Sequence, residues 1–125
     1  MKTLLDTHAL LWWLADDPAL SVEARTIISS TKNIIFVSSA SIWEISIKKN
    51  LGKLIAPDDL EIAISDSGFQ TLNIAPSHAH FAGSLPRHHE DPFDRMLIAQ
   101  AKLEDLTLIT HDKRFKNYEI PLIII

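Results

Sequence analysis

Thr3-Leu4-Leu5-Asp6-Thr7-His8-Ala9-Leu10-Leu11-Trp12-Trp13-Leu14 decides how the rest of the chain is read. Three apolar or β-branched residues followed by an acid suit a short buried strand. The apolar residues from Ala9 to Leu14 suit a helix packed on two sides, with Asp6 or Thr7 fit to cap its start. Asp16-Asp17-Pro18 ends it. A buried strand leading directly into a helix is the opening of a parallel α/β sheet.

The same alternation continues. Ser21 to Ser29 reads as a helix with Ser21 as N-cap. Asn33 to Ser38 is β-branched and reads as a strand, and Ser39 to Asn50 as a helix with Lys48 and Lys49 in its last turn, where cations suit the dipole. Pro57 to Asp66 reads as a helix stopped by Gly68, Phe69 to Ile74 as a strand, and Ser77 to Gly83 as a short helix. Pro86 to Pro92 reads as a polar loop. Phe93 to Glu104 reads as a helix with Pro92 near its first position. Leu106 to Thr110 is a strand, His111 to Phe115 a loop or helical turn, and Pro121 to Ile125 a last strand. The expectation is one α/β domain over residues 1–125, with a central, mainly parallel sheet of four to five strands flanked by helices.

Composition agrees with one domain and narrows its chemistry. The chain has 125 residues, 46% of them hydrophobic, and no cysteine, so neither disulfides nor thiolate metal sites are available. That fits a cytoplasmic protein. The early apolar stretch is interrupted by Asp6, and Asp16 and Asp17 stand where a signal-peptide cleavage site needs small residues. No apolar run reaches the roughly 20 residues of a membrane helix. Sixteen acidic against 12 basic residues give a net charge of −4, which disfavours phosphate backbones at first sight. Setting four carboxylates aside as metal ligands leaves the charges in balance, and bound cations change the local sign.

The placement of the acids carries the functional reading. Parallel sheets bind ligands beyond the carboxyl ends of their strands. Asp6 leaves the first strand there, and Asp112 leaves Leu106–Thr110 there. Glu44 lies about one and a half turns into the helix after the second strand. Asp94 lies in the first turn of the helix that begins near Pro92. Convergent carboxylates repel one another without a cation, and a hard ion such as Mg²⁺ or Mn²⁺ takes oxygen ligands. Each acid also has a structural reading: Asp6 as an N-cap, Asp112 in a side-chain turn, Asp94 as a partner of the helix dipole. Glu44, set within Ile42-Trp43-Glu44-Ile45, has the weakest one, because buried acids are rare without a partner.

These residues resemble the PIN-domain family, and in particular the VapC-type toxins of bacterial toxin–antitoxin pairs. The resemblance begins at Leu4-Leu5-Asp6-Thr7-His8-Ala9-Leu10 and continues through Ser41-Ile42-Trp43-Glu44-Ile45. It is strongest in Asp91-Pro92-Phe93-Asp94-Arg95-Met96-Leu97-Ile98-Ala99-Gln100-Ala101, and ends with Leu108-Ile109-Thr110-His111-Asp112 and Phe115. It implies a Mg²⁺- or Mn²⁺-dependent endoribonuclease in which Asp6, Glu44, Asp94 and Asp112 form the metal and catalytic set. On the same resemblance, the ion would activate a water for in-line attack on the phosphorus. Thr110 matches the family's threonine, with Asp6 or a bound water as its partner. Asp91 competes with Asp94 for the third position and is otherwise an outer-shell candidate. The resemblance also implies an RNA substrate, a cognate antitoxin and a homodimer.

Arg87, His88, His89 and Arg95 flank the expected cleft as candidate phosphate contacts. The alternative for His88 and His89 is a solvated loop. His8 and His111 each adjoin an expected ligand. Trp12, Trp13 and Trp43 read as core or interface packing in preference to base-stacking platforms. Two other functions compete: a catalytically silent PIN-like protein-binding module, and a phosphate-accepting receiver domain. The receiver needs paired acids after the first strand and an acid after the third, and neither is present.

Overall fold

The computed structural model describes all residues, Met1–Ile125. Five strands, β1 (Lys2–Leu5), β2 (Ile34–Ser38), β3 (Gln70–Leu72), β4 (Thr107–Thr110) and β5 (Leu122–Ile124), form one sheet. Its order is β3-β2-β1-β4-β5 and every pairing is parallel. Six α-helices connect the strands: α1 (Thr7–Leu14), α2 (Val22–Ser29), α3 (Ser39–Asn50), α4 (Leu60–Asp66), α5 (Pro76–Ser84) and α6 (Pro92–Leu103). A 3-10 turn, Lys113–Asn117, precedes β5. The strand order excludes the receiver alternative, whose doubly wound sheet runs 2-1-3-4-5.

Adjacent residues of the central strands feed opposite faces, as the two-residue period of a strand requires. Leu5 and Ile109 join a cluster with Leu10, Ile28, Val37 and Ile45 on one face. Leu4 and Leu108 join Leu97, Ile98, Ala101 and Phe115 on the other. Both faces are therefore covered, which explains why β1 and β4 read as unbroken apolar runs.

The expected elements are all present, with shifts at their ends. The strand expected over 69–74 shortens to Gln70–Leu72, because the chain beyond it turns into α5 and the Ala75 amide donates to His78 Nδ1. The helix expected from Pro57 begins at Leu60, and Asp59 makes no capping bond. Ser21 and Asp6 cap α2 and α1 as expected, accepting from the amides of Ala24 and Ala9. Asp91 caps α6.

β1 occupies the centre, where the chain reverses its direction of sheet growth. Strands β2 and β3 are added on one side of it and β4 and β5 on the other. The Asp6 amide extends the β1–β4 ladder by donating to the Ile109 carbonyl at 2.9 Å. The carboxyl ends of β1, β2 and β4 thus open on one edge, at the kind of switch point where such sheets bind ligands.

Candidate metal centre

A cavity of about 380 Å³ opens at that edge, with no hydrophobic residue in its wall. Asp6, Glu44, Asp91, Asp94 and Asp112 line it together with Thr7, His8, Lys48, His111, Lys113 and Arg114. The four acids expected to converge do so, from β1, α3, α6 and the turn after β4.

Asp6 is buried, and both of its oxygens are held. Oδ1 accepts from the Ala9 amide at 2.8 Å, the ordinary N-cap bond of α1. Oδ2 accepts from the Thr110 hydroxyl at 2.6 Å. The capping reading and the site reading of Asp6 are thus compatible, since one oxygen serves each helix or strand neighbour. Burial raises the Asp6 carboxyl above its usual range, opposed mainly by the Thr110 hydrogen bond.

Glu44 is 4% exposed on the inner side of α3. Its Oε1 accepts from the Thr7 hydroxyl at 2.7 Å, with the Ser41 hydroxyl within 3.0 Å of Thr7. Its Oε2 pairs with Lys48 one turn on. That hydrogen bond and charge raise the Lys48 ammonium, with Asp91 and Asp94 adding to the effect. Lys48, expected only as a last-turn cation that suits the helix dipole, belongs to the site wall. Thr7 and Ser41 stand inside the quoted motifs, yet spacing alone gives neither a role.

Asp94 is pushed up to about 8, by burial first and then by the charges of Asp91, Asp6, Glu44 and Asp112. Asp112 goes the other way, to about 2, because Arg114 binds it through side chain and backbone and His89 adds a hydrogen bond. Asp91 uses Oδ1 to cap α6, accepting from the amides of Phe93 and Asp94 at 2.9 and 3.3 Å. The two acids are therefore separated by their duties: Asp91 secures the helix start, and Asp94 faces the other carboxylates.

Two residues differ from expectation. His89 is not in a solvated loop; it is 2% exposed. Its Nε2 lies 2.9 Å from Asp94 Oδ2 and 2.9 Å from Asp112 Oδ2, while His88 remains exposed against the Tyr118 ring. Arg95 is not free to meet a phosphate. Its guanidinium donates to the carbonyls of Pro86, His89, Ala82 and Leu85, so it fastens the loop before α6. No sequence signal separates His89 from His88; the burial comes from Tyr118 and Phe115, which fold back from beyond β4.

Trp12 and Trp13 pack against the core, and Trp13 Nε1 donates to the Ser67 hydroxyl at 3.2 Å. Trp43 is 61% exposed beside Phe93.

The donor chemistry fits a hard divalent cation. Asp6, Glu44, Asp94 and Asp112 offer oxygens only, and the nearest oxygens of Asp94 and Asp112 lie within 4.8 Å of each other. Burial raises the Asp94 carboxyl most and the neighbouring carboxylate charges raise it further, and a cation would relieve that second, repulsive part.

A single parallel α/β domain with a carboxylate cavity at its switch point describes a class of proteins with a metal-type acidic centre. The chain belongs to the PIN-domain family, whose model matches residues 3–121. It is 29% identical over 127 residues to the ribonuclease VapC22 of Mycobacterium tuberculosis, covering 94% of this chain and 92% of that one. Among solved structures it resembles a chain of the DNA-bound VapBC of Salmonella typhimurium, with TM-score 0.71, 19% identity and coverage of 99% and 98%. A chain of VapBC2 from Rickettsia felis, bound to a promoter DNA fragment, gives TM-score 0.69 and 17% identity, with coverage of 99% and 98%. At those identities the structural likenesses establish the fold.

Proposed function

We propose that this PIN domain is a Mg²⁺- or Mn²⁺-dependent endoribonuclease, the toxin of a type II toxin–antitoxin pair, with Asp6, Glu44, Asp94 and Asp112 as its metal-holding set. The observation that carries the reading is the convergence of four carboxylates from distant elements on one polar cavity, with Asp94 pushed up to about 8 by burial first and then by the neighbouring acids. The ribonuclease relative, matched over nearly its whole length, supports the reaction class.

When bound, such an ion lowers the pKa of a water and offsets charge on the phosphate in transit. The chain supplies the rest. Thr110 and the Ala9 amide fix the orientation of Asp6, and Thr7 fixes that of Glu44. Lys48, Lys113 and Arg114 in the cavity wall give an RNA phosphate a positive approach to an otherwise acidic cleft. Asp91 supports the set by holding the α6 N-terminus.

The VapBC likenesses support a cognate antitoxin as partner. A homodimer is part of the same reading. Trp43 and Ile47 on α3 and Leu51 at its C-cap expose apolar side chains at four-residue spacing, a ridge of the kind that subunits cover. No helix is long and apolar enough to cross a membrane, and a cytoplasmic location belongs to the proposal.

Incubating the purified protein with structured RNA in Mn²⁺ or in EDTA tests the function. Cleavage that needs Mn²⁺ and disappears in Asp6→Asn is expected. Tight protein binding with no cleavage under any metal condition would favour the catalytically silent module.

A further inference from the structure

The nuclease reading gives His89 no task, yet the structure satisfies every polar atom this residue has. Its amide donates to the Tyr118 hydroxyl at 3.0 Å. Its carbonyl accepts from Arg95 at 3.1 Å. Its Nδ1 accepts from the Asp91 amide at 3.2 Å, and its Nε2 meets Asp112 Oδ2 at 2.9 Å, with Asp94 Oδ2 equally near. The ring edge rests on Phe115, at a centroid separation of 5.5 Å. A histidine that merely decorates a loop needs none of these partners.

The Asp91 contact settles which ring nitrogen carries the proton. A neutral imidazole has one N–H and one acceptor nitrogen. Since Nδ1 accepts from a backbone amide, which can only donate, the proton sits on Nε2. Nε2 is therefore a donor aimed at two carboxylates and has no lone pair for a metal. The cluster of His89, Asp94 and Asp112 resembles a histidine–carboxylate metal triad in its distances, but its tautomer makes it something else.

We infer that His89 is a positioning residue. Its Nε2–H, fixed through Nδ1 by the Asp91 amide, draws the carboxylate of α6 and that of the turn after β4 side by side, and so sets the spacing of two of the four acids, while Arg114 holds Asp112 from the other side. This assignment rests on the metal-dependent reading above. Asp91 acquires a second function within it: one residue caps α6 with its side chain and sets the His89 tautomer with its amide. Outer partners that orient metal-binding carboxylates commonly change metal affinity by ten- to a hundredfold when removed.

Two measurements test this. Nitrogen-15 spectra of the imidazole are expected to show a protonated Nε2 and an unprotonated Nδ1 in EDTA, unchanged when Mg²⁺ is added. A proton on Nδ1, or loss of the Nε2 proton on adding Mg²⁺, overturns the inference and makes His89 a ligand. Calorimetric titration with Mn²⁺ then compares three variants. The amide nitrogen of His89→Gln reaches the place of Nε2, and that of His89→Asn reaches only the place of Nδ1. His89→Phe fills the space with no donor. Gln is expected to bind Mn²⁺ close to wild type, and Asn and Phe about ten- to a hundredfold more weakly. Equal binding by Phe and wild type, or by Gln and Phe, contradicts the assignment. If Phe fails to fold by circular dichroism, the Gln–Asn difference decides. A wild-type protein that binds no Mn²⁺ defeats the metal reading instead, and the ring spectra in EDTA still decide how His89 is held.

Discussion

The Thr110 hydroxyl donates to Asp6 Oδ2 at 2.6 Å while accepting from the Asp112 amide at 3.0 Å. One buried oxygen thereby joins the acid that leaves β1 to the backbone of the acid that leaves β4. Thr110→Val keeps the shape and removes both bonds. Leaving a buried carboxylate oxygen without its donor costs about 1–3 kcal/mol. Urea denaturation is expected to show that loss, together with weaker Mn²⁺ binding. Unchanged stability and unchanged binding would mean that the bridge is idle.

Without a divalent ion, stability should fall as pH rises through neutrality. Asp94 (about 8) and Asp6 both have folded pKa values raised above 3.8, so between about pH 4 and 8 the folded state holds more protons than the unfolded one. Their stabilisation is complete near pH 4 and lost on the way to pH 8. Asp112, lowered to about 2, acts in the opposite sense: its contribution is present above about pH 4 and lost toward pH 2. Stability in EDTA is therefore expected to peak near pH 4–5, below the usual neutral optimum. Asp94→Asn should flatten the alkaline limb, as read by urea denaturation at pH 5, 7 and 9.

Lys48 neutralises Glu44 when no cation does so. Lys48→Met is expected to destabilise the protein in EDTA by about 1 kcal/mol, a modest value because the ammonium is partly solvated. Saturating Mg²⁺ should restore most of that loss. A deficit of the same size with and without Mg²⁺ would show that Lys48 matters only through packing.

Arg95 ties down the loop that carries His89. Lys cannot reproduce four bonds from a planar fork. Arg95→Lys is expected to cost about 1.5–3 kcal/mol and to expose Arg87 to trypsin. Persistent resistance of the loop in the variant would show that Tyr118 and Phe115 suffice to hold it.

The sequence made most of this architecture readable because the signals were local. Apolar runs ending in Asp6 and Thr110 located the central strands, and Ser21 and Gly68 marked helix ends. The cleft followed from these, since strands known to be parallel place their carboxyl ends on a shared edge. Asp91 and Asp94 were harder to separate, because both lie in one helix start and only the direction of each side chain distinguishes capping from convergence. His89 and Arg95 were illegible for a related reason. Their partners are carbonyls, a tyrosine hydroxyl and carboxylates contributed by other elements, and no periodicity within Pro86–Pro92 predicts those. Lys48 similarly reads as a helix-end cation until the burial of Glu44 beside it is known.

The central claim is that these acids share a cation, and the Asp94 carboxyl reports on it most directly. Carbon-13 spectra of the side-chain carboxyls, followed against pH in EDTA and again in saturating Mg²⁺, measure it. Asp94 should titrate near 8 in EDTA and fall by several units with Mg²⁺, releasing its proton to the competing ion. An Asp94 titration that Mg²⁺ leaves in place would contradict the account.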